Sequence, residues 1–152
     1  MNHTRINGIH SILCPTDFSE SAQYALATAI MLARRFHASI DLIHVIEPSA
    51  YESDRIAAGE KTYHDVIRER LDDLVASMKY EGALSSTVVS GIPYMEITRR
   101  AAETGADIIV IGTHGRTGIR HLLIGSVAEK VVRTATCPVL TVRHPDLHVT
   151  TD

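Results

Sequence analysis

The chain has 152 residues, 45% of them hydrophobic and 22% charged, with nine glycines, two cysteines and no tryptophan. That length suits one domain able to bury a substantial core without disulfides, and the composition excludes a disordered or fibrous chain. Eighteen acidic against fifteen basic residues leave a formal charge of −3, which argues against a general affinity for nucleic acid or an anionic membrane.

Met1 to Asn7 holds no apolar run of signal-peptide length, and nowhere does the chain approach the ~20 apolar residues that span a bilayer. A cytoplasmic location without membrane contact is the expectation. Ile9 to Cys14 is a β-prone run that stops at Pro15. From Ser19 to Phe36 apolar residues fall at Ala22, Ala25, Leu26, Ala29, Ile30, Ala33 and Phe36, which is helical spacing, with Asp17 or Ser19 able to cap the start. Ser39 to Ile46 alternates as a strand does and ends before Pro48. Residues 47–59 read as a loop or lid. A second helix is predicted from Glu60 to Tyr80, burying Tyr63, Ile67, Leu71, Leu74 and Met78. Its solvated face carries Lys61–Asp65 and Arg68–Asp72 pairs at i, i+4.

The second half repeats the rhythm. Leu84–Ser90 reads as a strand, Pro93 opens a helix through Thr104, and Gly105 ends it. Asp107–Thr113 is nearly all apolar, as a central strand covered on both faces requires. A glycine-rich loop follows, then a helix over Ser126–Ala135 and a last strand over Val139–Arg143. Five strands alternating with four helices imply a doubly wound α/β domain, residues 1–152, with a parallel sheet and right-handed crossovers.

In such sheets ligands bind beyond the carboxyl ends of the strands, where the strand order reverses. Order 3-2-1-4-5 would bring the loop after the first strand, Pro15 to Ser19, beside the loop after the fourth, Gly112 to Ser126. Four of the nine glycines lie between 112 and 125, where close backbone approach lets N–H groups turn on an anion. Gly125-Ser126 opens a helix, a natural phosphate seat, and Arg116 and Arg120 add positive charge. Asp17 is suited to accept hydrogen bonds from ribose hydroxyls or an exocyclic amine. Singly, each residue fits an ordinary loop or helix cap equally well. The combination favours phosphate binding, because loops of this length usually have a function. The spacing is neither a P-loop nor the G-x-G-x-x-G dinucleotide fingerprint.

Gly112-x-x-Gly115, nine residues, then Gly125-Ser126 resembles the pattern of the ATP-binding subgroup of universal stress proteins. Ile12-Leu13-Cys14-Pro15-Thr16-Asp17-Phe18-Ser19 and the ending from Gly125 through Val142 are similar to that family as well. The resemblance spans residues 9 to 143. It implies ATP in the same crevice; any Mg²⁺ would come with the nucleotide and not from a protein-borne site. Pro15, Thr16 and Asp17 would contact adenine and ribose, with Val45 walling the base. Ile111 and Gly112 would border the ribose, and His114, Gly115, Arg116, Gly125, Ser126 and Val127 would surround the triphosphate. It also implies a homodimer through Val139, Leu140, Thr141, Val142 and Arg143.

Other chemistries are weaker. Ser126 with His114 or His121 and Asp17 suggests a hydrolase triad, but no G-x-S-x-G surrounds Ser126. His144 and His148 have ligand spacing without further ligands, so no protein-borne metal site is expected. Cys14 and Cys137, read as strand residues about 9–10 Å apart, lie beyond disulfide reach. An ATP-binding regulatory protein leads. A slow ATPase or phosphoryl or nucleotidyl transferase, and a nucleotide-independent interaction protein using residues 47–59, are the alternatives.

Overall fold

The computed structural model describes residues 8–48, 59, 61–114 and 124–145. Within them the elements alternate: β1 (Ser11–Pro15), α1 (Glu20–Phe36), β2 (Ser39–Ile46), α2 (Tyr63–Ser77), β3 (Leu84–Ser90), α3 (Pro93–Thr104), β4 (Ile108–Gly112), α4 (Ser126–Thr134) and β5 (Val139–Val142). The strands form one parallel sheet in the order β3-β2-β1-β4-β5, the order expected from the sequence.

Strand alternation divides the core in two. Ile12, Cys14, Ile40, Leu42 and Val110 face Ala25, Leu26, Ala29 and Ala33 of α1 and Leu71 of α2. Leu13, Ile43, Ile109 and Ile111 face Ile97 and Ala101 of α3 and Ala128 and Val131 of α4. Each fully buried Leu or Ile contributes roughly 1.5–3 kcal/mol relative to an exposed one. The chain changes sides of the sheet between α2 and α3, so β1 and β4 become neighbours at the reversal.

The alanines of α1 let the helix axis lie close to the sheet. Phe36, placed on the apolar stripe by its spacing, is 43% exposed at the helix end. The N-terminus of α1 is capped by Ser19, whose Oγ accepts the Ala22 amide at 3.2 Å.

The second helix is shorter than its periodicity suggests. Thr62 and Asp65 form a capping box: Thr62 Oγ1 accepts the Asp65 amide at 3.1 Å and Asp65 Oδ2 accepts the Thr62 amide at 3.0 Å. The cap starts α2 at Tyr63, and the extended backbone of Met78 ends it. Because Asp65 turns back on Thr62, Lys61 pairs with Glu69 instead, while Arg68 meets Asp72 at 3.2 Å as expected. Only Ile67 and Leu71 of α2 are buried. Cys137 is half-buried in the segment before β5 rather than inside the strand, and both cysteines are free.

Candidate functional site

A proline opens the crevice between β1 and β4. Ser11 O accepts from Asp107 N on the β4 side, whereas Thr16 N donates to Ile43 O on the β2 side. Backbone groups along a strand alternate sides, so Pro15 turns toward β4, and it has no N–H to offer. Accordingly β1 pairs with β2 as far as Pro15↔Ile43, while its ladder with β4 pairs only Ile12↔Ile108 and Leu13↔Ile109.

Beyond Pro15 the chain makes a tight turn. Phe18 N donates to Thr16 Oγ1 at 3.1 Å and Ser19 N to Asp17 Oδ1 at 3.0 Å. Phe18 adopts φ 63°, a left-handed backbone that bulky side chains rarely take. Side-chain acceptors thus hold the turn, and Asp17 lines the crevice.

The opposite wall comes from β4 and α4. Thr113 N donates to Val142 O at 3.0 Å, and Thr113 O accepts the amide of Gly125. A Cβ on Gly125 would lie 2.8 Å from that oxygen, so the site of the bond requires glycine. His114 N donates to Ser21 Oγ at 3.3 Å, and its ring Nδ1 lies 2.8 Å from Thr113 Oγ1. Gly125 supplies no side-chain cap to α4, whose first intrahelical bond is Glu129 N to Gly125 O. The amides of Ser126, Val127 and Ala128 precede that bond, which makes this end of α4 an anion-attracting terminus.

Between the walls lies a cavity of about 460 Å³. Pro15, Thr16, Asp17, Val45, Ile111, Gly112, His114, Gly125, Ser126 and Val127 all line it. Gly115, Arg116, Arg120 and His121 lie outside the described residues, as do His148 and residues 49–58. His44, Glu47, Tyr63, Pro93, Ile97 and Thr113 also line the cavity and were missed. Their signal was positional. In a parallel sheet every helix begins at the carboxyl edge, so the first residues of α2 and α3, Tyr63 and Pro93, arrive there with Ser126. Among the described residues no group of three or more His, Cys, Asp or Glu could hold a metal, and no helix is long and apolar enough to cross a membrane.

A family profile described as "Universal stress protein family" matches residues 8–143. The chain belongs to the universal stress protein family. Universal stress protein MJ0531 of Methanocaldococcus jannaschii is 32% identical over 139 residues, covering 88% of this chain and 82% of its own. The solved structure of MJ0577 from the same organism superposes with a TM-score of 0.75 at 30% identity, covering 91% of this chain and 98% of that one. A universal stress protein of Archaeoglobus fulgidus solved in complex with dAMP shares the fold, with a TM-score of 0.63 and 24% identity over 89% of this chain and 98% of that chain. Against these relatives, the crevice of this universal stress protein sits at the reversal of an ordinary family sheet.

Proposed function

We propose that this chain binds an adenine nucleotide, ATP with Mg²⁺, in the β1–β4 crevice and uses it as a regulatory ligand. The observation that carries the reading is the pairing of two unlike walls across one cavity. Asp17, an acceptor for ribose hydroxyls, lines one side, and the uncapped start of α4 at Gly125-Ser126 lines the other. The dAMP complex of the A. fulgidus relative supports it, since an adenine nucleotide fits that fold.

Pro15, Thr16 and Asp17 would contact adenine and ribose, with Val45 against the base and Ile111 and Gly112 beside the sugar. His114, Gly125, Ser126 and Val127, together with Gly115 and Arg116, would surround the phosphates, and Mg²⁺ would be held by phosphate oxygens. The edge strand β5, with Leu140 37% exposed, would pair with a second copy to form a homodimer.

Calorimetry with ATP and Mg²⁺ tests the reading. Wild type is expected to bind, and Asp17→Asn, which keeps the acceptor for Ser19, to bind about tenfold more weakly through loss of charge-assisted bonds. No heat from wild type, or equal affinity in Asp17→Asn and Ser126→Ala, overturns it. Mass spectrometry of the bound nucleotide after days of incubation separates a regulatory ligand, which stays intact, from a slow substrate.

A further inference from the structure

His44 has no place in the resemblance and none in the roles given above. It lies on the β2 face that also carries Ile40 and Leu42, is 4% exposed, and puts Nδ1 2.8 Å from the backbone oxygen of Thr16. A carbonyl only accepts, so Nδ1 carries the proton and donates. The Phe18 ring lies 5.0 Å from the His44 ring at 31°, and the Arg70 guanidinium of α2 sits 4.2 Å over the far partner, Phe18. Phe18 is the residue held at φ 63°.

We propose that His44 is the positioning residue for the Thr16–Asp17–Phe18 turn, and that the Phe18–Arg70 contact ties this turn to α2. The functional half of this inference rests on the nucleotide reading of the crevice; the mechanical half does not. Thr16 and Asp17 sit where β1 has left its ladder with β4, so the neighbouring strand does not hold them on that side. The ring of His44 adds a restraint from the β2 side, by a bond to the Thr16 carbonyl and a packing surface for Phe18. Without the donor the Thr16 carbonyl loses its hydrogen bond to His44, and the turn that carries the left-handed Phe18 is held less firmly. The Asp17 carboxylate would then sample orientations in which it misses the ribose, weakening every adenosine nucleotide by one factor.

His44→Leu keeps the apolar volume without the donor, and His44→Asn restores a donor at the Nδ1 position. Hydrogen exchange of the unliganded protein gives the mechanical readout. The amides of Phe18 and Ser19 are expected to exchange about five- to tenfold faster in His44→Leu and near the wild-type rate in His44→Asn, with β4 and β5 unchanged. Arg70→Gln, at an exposed position, is expected to accelerate the same two amides about two- to fivefold. Should His44→Leu fail to fold, His44→Ala takes its place, and Arg70→Gln tests the tie to α2 separately. Calorimetry gives the functional readout. His44→Leu is expected to weaken AMP and ATP by the same factor of about five to ten, leaving their affinity ratio unchanged, and His44→Asn to recover most of it.

Unchanged exchange of Phe18 and Ser19 in His44→Leu overturns the role of His44, and unchanged exchange in Arg70→Gln overturns the tie to α2. A His44→Leu loss confined to ATP, or one that His44→Asn fails to recover, also overturns the role of His44. A wild type that binds neither nucleotide while the exchange results hold overturns the nucleotide reading and leaves His44 as the support of the turn.

Discussion

A methyl group on Gly112 would strike Ser21: its Cβ would lie 2.6 Å from the Ser21 hydroxyl and 2.7 Å from that residue's carbonyl carbon and oxygen. Ser21 belongs to the first turn of α1, and its hydroxyl accepts the amide of His114 at 3.3 Å. The first glycine of the spaced motif, which also lines the crevice, therefore seats α1 against the end of β4.

Gly112→Ala is expected to destabilise the fold by about 1–3 kcal/mol, because two of the three clashing atoms are backbone and cannot rotate away. For a chain of this size each kcal/mol lowers the melting temperature by roughly 2–4 °C. Urea unfolding monitored by circular dichroism measures it, and an unchanged midpoint would show that α1 can shift without cost.

Asp41 is almost wholly buried beneath α3, where Oδ2 meets Arg100 Nε at 2.8 Å and Oδ1 accepts from Ser85 Oγ at 2.9 Å. Arg100→Met leaves the carboxylate with one neutral partner and is expected to cost about 1–3 kcal/mol, short of a fully buried pair because the Arg100 side chain is 29% exposed. Adding Asp41→Leu is expected to recover most of that loss, since the desolvated charge goes with it. A double variant no more stable than Arg100→Met would mean that the pair is favourable in itself.

Burial pushes the Cys14 thiol up from its ordinary 9.0 to about 12. The native state therefore keeps this proton where the unfolded chain has released it. Stability linked to Cys14 is fully present below about pH 9, and falls as pH rises from 9 toward 12. Denaturation midpoints across that range should decline less steeply in Cys14→Ala than in wild type. At pH 8 a thiol reagent should modify the half-buried Cys137 and spare Cys14 until the chain unfolds. Rapid modification of Cys14 in the native protein would contradict its burial.

The succession of elements was legible because each element rests on a short-range pattern. Alternation in Ser39–Ile46, helical spacing across α1, proline at the start of α3 and glycine after its end are all set within a few residues. The crevice could be placed for the same reason, since an alternating β–α chain with its glycines after β4 puts both loops at one sheet edge. Periodicity reports which face of an element is buried and is silent about what lies against it. His44 and Thr16, 28 residues apart, and Gly112 and Ser21, 91 apart, meet only once the sheet has formed. Local competition was hidden as well: Asp65 could pair with Lys61 or cap Thr62, and the uncompensated amides at the start of α2 favour the cap. Periodicity therefore supplied the frame and the sheet edge where a ligand would bind. Packing of distant residues decided which side chains lie against that edge and against its turn.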